Sequence, residues 1–183
     1  MKHVLKYVKN YKKDSFLTIF FTMLEVVMEV LLPFVTSFII DRGIQAGNVN
    51  NVYIYGGIML VMAALSLTFG ALGGRYVARA SSGFAANLRK GIYDKVQTFS
   101  FSNIDHFSTA SLVTRMTTDV TNIQNAYMMT LRIATRAPLT LIFSWVMCFF
   151  ISKKISLVFF IAILLLGGVL AVIIRASLKW FDK

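Results

Sequence analysis

Four apolar runs constrain this chain more than anything else in it. They cover about 16–40 (FLTIFFTMLEVVMEVLLPFVTSFII), 52–74 (VYIYGGIMLVMAALSLTFGALGG), 130–151 and 155–174 (ISLVFFIAILLLGGVLAVII). A helix needs roughly 20 apolar residues to cross about 30 Å of hydrocarbon. The first, second and fourth runs meet that requirement alone. The third is strongly apolar only from Ala137, so a full span must take in Arg132 and Arg136. Composition agrees: 57% of residues are hydrophobic, above the roughly 45–50% of soluble domains. The first run is too long for a secretory h-region, and the polar DRGIQAG that follows it offers no small-residue cleavage site. It is expected to be a retained span. The fold class expected is all-α: a polytopic membrane helical bundle with long helices extending into the cytoplasm. The sole cysteine, Cys148, lies in an apolar run and is expected to be a small packing residue.

The net charge of +11 is distributed by topology rather than gathered into one stripe. Residues 1–15 carry five lysines, the interval 75–125 carries Arg75, Arg79, Arg89, Lys90, Lys95 and Arg115, and the tail carries Arg175, Lys179 and Lys183. Between the first two runs, 41–51 holds only Arg42, balanced by Asp41. Lys and Arg are enriched on cytoplasmic flanks. Both termini and 75–125 are therefore expected inside and 41–51 outside, in a multi-pass protein of the cell membrane. The two lysines of SKK at 152–154 run against that rule locally. This topology explains the charge without nucleic acid, leaving the lipid bilayer as the first partner. Val4, Leu5, Val8 and Tyr11 recur at helical spacing among lysines, which suits an amphipathic elbow over 1–15 on the inner membrane face.

The second run does not stop at Gly74. Phe84, Leu88, Ile92 and Val96 continue at helical spacing, and no proline interrupts 52–98. One helix over that stretch is ~70 Å long, of which only ~30 Å fits in hydrocarbon. Val113, Met116, Val120, Ile123 and Tyr127 return at spacings of 3, 4, 3, 4, the seam of a helix packed lengthwise on another. The spacing predicts a cytoplasmic hairpin over about 75–129 with its turn near 100–108. Its tip presents Phe101, Ile104 and Phe107 with Asp105 and His106, and exposed aromatics there imply a partner.

Glu25 and Glu29 lie four apart in the first run, hence on one face. Charges at that depth face a cavity or a partner. Either they line a cavity and attract cations, or they pair with Arg132 or Arg136. Pro33 and Pro138 each remove a hydrogen bond within a span. Ser66, Gly70 and Gly74 form a small-residue stripe suited to close helix approach. No catalytic, cofactor-binding or metal-binding residue is assigned: His3 and His106 are far apart, and no nucleophile sits with a base.

The stretch FSNIDHFSTASLVTRMTTDVTNIQNAYMMTLRIATRAP resembles the first intracellular loop of ATP-binding cassette (ABC) exporters, most like the multidrug and lipid exporter type. The family pattern Ser-Thr-Gly-x-Leu-x-x-Arg-x-x-x-Asp reads Ser108-Thr109-Ala110-Ser111-Leu112-Val113-Thr114-Arg115, then Asp119, with Ala110 in place of glycine. EVLLPFVTSFIIDRGI at 29–44 resembles the end of the family's first span and its outer loop. The resemblance implies that Phe101, Ser102, Asn103, Ile104, Asp105, His106 and Phe107 form a coupling helix seated on a nucleotide-binding domain. Arg115 and Asp119 would order the base of the lever. It also implies a second transporter half, identical or different, and ATP with Mg bound by the partner domain. The chain has no GxxxxGK[ST] and resembles four of six spans of a transmembrane domain, so a partial product without ATPase activity of its own is expected. The competing expectation is a membrane signalling protein that relays a conformational change through the same hairpin.

Overall fold

The computed structural model describes residues 6–99 and 109–181. All its regular elements are helices. A short 3-10 segment, Lys6–Tyr11, leads into α1 (Lys12–Phe38), which ends in a π-helical turn, Ile39–Ile44. Next come α2 (Val49–Gln97), α3 (Thr109–Thr114), a second π-helical turn (Arg115–Asp119), α4 (Val120–Ile151) and α5 (Lys153–Phe181). Lipid offers the backbone no hydrogen-bond partners, so spans must satisfy their own groups as helices. Four stretches are long and apolar enough to cross a membrane: Lys12–Ile44, Val49–Gln97, Ala110–Ile151 and Lys153–Arg175. Each exceeds its apolar run because the helix continues past the greasy residues.

The chain divides into two units, Met1–Leu139 and Thr140–Lys183. In the first, α1 and α2 form the closely packed pair. The connection between them is built by side chains. Gly47 takes a positive φ of 61° that L-residues avoid. Asn48 then caps α2, its side chain accepting from the Asn50 and Asn51 amides. Asn51 donates back to the Arg42 carbonyl at 2.9 Å. The buried stripe of α1 is Ser15, Thr18, Thr22 and Val26, small and hydroxyl-bearing. Ser15 and Thr18 each satisfy their hydroxyl on the carbonyl one turn back. Opposite them, α2 presents Gly73, Val77, Ala80 and Ser81. Gly73 lies in van der Waals range of Thr22 and Phe21, whereas Gly74 faces open space. Without a hydrophobic drive in lipid, such small-residue contact is what holds spans together.

The hydrophobic core lies beyond the apolar window of α2. Val8, Phe84, Ala85, Leu88 and Val120 are buried together, with Ile92 and Tyr127 packed against them. Tyr127 is the hub: its ring lies 4.6 Å from that of Phe84, and its hydroxyl meets Ser15 Oγ at 2.8 Å. The described part of the N-terminal segment also contacts the protein. Val8 turns into this core, and Asn87 donates to the Tyr7 carbonyl. The rings of Tyr11 and Tyr7 cover Gly83 and Gly91, where any Cβ would collide with them. Two glycines let two tyrosines lie flat against α2.

The return arm is also not one regular helix. Thr114, Thr117 and Thr121 bond the carbonyls of Ala110, Val113 and Thr117. Hydroxyls that bond back compete with the backbone ladder and bend helices. The π-helical turn Arg115–Asp119 falls inside that threonine-rich stretch. In the second unit, α4 and α5 are separated by Ser152 alone. Trp145 and Phe160 have ring centroids 5.7 Å apart although fifteen residues separate them, so α5 folds back along α4 as a tight hairpin.

Candidate functional site

The site is built by three helices of the first unit. α1 supplies Glu25 and Glu29, one turn apart. α4 supplies Arg132 and Arg136, also one turn apart. α2 supplies Ser66, Gly70 and Gly74. Arg136 bridges the two acids: Nη1 donates to Glu25 Oε1 at 3.0 Å, and Nη2 contacts Glu29 Oε1 and Oε2 at 2.6 and 2.7 Å. Glu25 is the more enclosed acid, its side chain 13% exposed against 38% for Glu29. Gly70 makes the room for it. A Cβ at Gly70 would stand 3.0 Å from Glu25 Oε1, so the carboxylate would have to give by a few tenths of an ångström.

A groove of about 620 Å³ opens beside the cluster, lined by Glu25, Glu29, Ser66, Gly70, Gly74 and Arg132 among others. Arg132 is exposed and shares this wall with both acids, yet among the described residues it forms no ion pair. An arginine bound to two carboxylates has charge left over on the acid side, and Arg132 places one cation across the groove. Such a wall can hold a polar head while the apolar residues around it, Leu32, Ala63 and Leu67, take a hydrocarbon portion.

A second cavity of about 360 Å³ lies along the arms, lined by Tyr7, Ile92, Lys95, Phe99, Leu112 and Arg115 among others. Arg115 and Asp119 open and close the π-helical turn. Cross-arm contacts are modest: Arg89 to Thr121 at 3.3 Å and Gln124 to Ser82 at 3.4 Å. Asp14 and Arg79 stand 3.9 Å apart, with Arg79 largely exposed. The seven tip residues Phe101 to Phe107 lie outside the described residues.

Sequence reasoning passed over the Tyr7–Gly91 and Tyr11–Gly83 contacts. The available signal was two tyrosines four apart and two glycines eight apart, both spacings near whole helical turns.

The comparisons with known proteins agree on one family. Residues 15–183 match the family described as ABC transporter transmembrane region. An ABC transporter ATP-binding protein of Bacillus subtilis, YfiB, is 38% identical over 118 residues, covering 64% of this chain and 21% of that protein. ABC transporter ATP-binding proteins of Mycobacterium bovis and Mycobacterium tuberculosis are each 30% identical over 106 residues, covering 57% of this chain and 18% of theirs. The chain thus spans about a fifth of the length of these relatives. With four candidate spans in register with that match, this is a multi-pass membrane chain that belongs to the ABC transporter transmembrane region family.

Proposed function

We propose that this chain is the membrane-spanning part of an ATP-driven exporter of the multidrug or lipid type. It forms part of the translocation pathway and couples to a nucleotide-binding domain through residues 101–107. The observation that carries this reading is α2, 49 residues without a break. At about 1.5 Å per residue it is roughly 73 Å long, more than twice the hydrocarbon thickness. Part of the surplus packs against the return arm through Phe84, Leu88, Val120 and Tyr127, which suits a lever built of two arms. Both termini and this lever lie on the cytoplasmic side, as the lysines and arginines direct. The relatives carry ATP-binding in their names, and ATP with Mg is assigned to the nucleotide-binding domain rather than to this chain. A second half, identical or different, completes the pathway. The groove beside Glu29 and Arg132 faces the substrate.

Crosslinking at the tip tests this. Asp105→Cys in a Cys148→Ala background is paired with cysteines on the candidate nucleotide-binding domain in the complete transporter. Crosslinks that change with nucleotide are the expected result. A tip that reacts freely with water-soluble reagents and never crosslinks overturns the coupling role and favours a signalling hairpin.

A further inference from the structure

The two acids of α1 and the two arginines of α4 have the same period. Glu25 and Glu29 are four apart, and so are Arg132 and Arg136. Residues four apart on a helix lie one above the other. The cluster is thus two facing ladders, of which only the Arg136 rung is engaged, and that rung holds both acids. Arg132 waits one turn away on the wall of the same groove.

Three features bear on movement of α4 along α1. Beyond the π-helical turn it meets α1 and α2 through side chains rather than close backbone packing, so a one-turn shift must break the Tyr127–Ser15 bond and re-seat Val120 and Tyr127 in the core. The π-helical turn Arg115–Asp119 lies on one side of the arginine pair, where an extra residue per turn lets register shift. Pro138, two residues beyond Arg136, removes a ladder hydrogen bond on the other. The wall beside the ladders, Ser66, Gly70 and Gly74, carries no bulk to block arginine side chains in passage.

We propose that Arg132 is the alternate partner of Glu25 and Glu29, and that α4 slides one helical turn along α1 as the pairing passes from Arg136 to Arg132. Packed elements shift in such discrete steps of about 5.4 Å because intermediate positions lose their contacts. The repeated spacing keeps both intramembrane acids paired at each end of the slide, with the other arginine left to the groove, Arg132 at one end and Arg136 at the other. The inference rests on the transporter reading only for what the slide serves, since the pairing itself requires neither nucleotide nor substrate.

The test uses Arg132→Gln, Arg136→Gln and the double variant in the complete assembly in membranes, without nucleotide. The fraction of folded chain surviving a fixed heating step is measured. Arg132→Gln is expected to change it less than about twofold and Arg136→Gln several-fold, while the double variant falls at least about fivefold below the product of the singles. A double variant equal to that product overturns the proposal, and so does an Arg136→Gln chain that fails to assemble, since Arg132 then does not substitute. The second measurement reads position. A Leu32→Cys probe is scanned by disulfide formation against single cysteines along 128–139 in a Cys148→Ala background. In Arg136→Gln the crosslinking maximum is expected to move about four residues toward the start of α4, one turn. A maximum that stays in place overturns the slide. Failure here leaves the nucleotide-sensitive tip crosslink untouched, so the two readings fall separately.

Discussion

Gly83 is a residue whose value is its absence of a side chain. The Tyr11 ring occupies the space a Cβ would need. Gly83→Ala is expected to lower stability by about 1–3 kcal/mol through overpacking, read as thermal unfolding of the complete assembly in detergent. Tyr11→Ala in the same chain should recover most of that loss, which a change in helix propensity alone would not. Phe84 is the converse, a large side chain only 1% exposed. Phe84→Ala is expected to cost about 3–5 kcal/mol, because the cavity cannot collapse against Tyr127 and Val120. At this scale the sequence was only half informative. That Glu25 and Glu29 share a face follows from their spacing. Which arginine meets them does not, because Arg132 and Arg136 have the same chemistry and the same face. The choice depends on the axial offset between α1 and α4, a tertiary quantity that no local pattern encodes.

Elements were more legible than their irregularities. Hydrophobic period and length marked helices over all four apolar runs, because a span that must bond its own backbone has no alternative in lipid. The π-helical turns at Ile39–Ile44 and Arg115–Asp119 left no periodic signal. The second had a chemical one, the threonines of TRMTTD, whose hydroxyls bond back onto the helix. The N-terminal segment carries a related ambiguity. A short apolar stripe among lysines reads the same whether it faces a membrane or a groove in the protein, and Val8 faces the protein. Asn48 gives a clean element-level prediction. Its side chain serves the Asn50 and Asn51 amides at the start of α2. Asn48→Ala is expected to cost about 1 kcal/mol and to speed hydrogen exchange at those two amides, leaving the far end of α2 unchanged.

The whole molecule places its strongest packing outside its most apolar segments. Among the described residues, the most apolar windows of α2, α4 and α5 bury no side chains within the chain, while Phe84, Leu88 and Val120 close a core further along. Lipid gives apolar side chains no reason to leave it, whereas water does. Orientation is tested at this scale. In a Cys148→Ala background, Gln45→Cys is expected to react with an impermeant maleimide from outside the cell, and Lys90→Cys only after the membrane is opened. The reverse pattern would invert the lysine and arginine argument.

That core also imposes an order on biosynthesis. Val8, Phe84 and Leu88 emerge from the ribosome before Val120 and Tyr127 do. At about 5–20 residues per second, the chain from Leu88 to Tyr127 takes a few seconds to synthesise. For that interval α1 and α2 lack the arm that covers Phe84 and Leu88. The hydrogen bond from Tyr127 to Ser15 marks the moment when the newest part of the chain reaches the oldest and the exposed face is sealed.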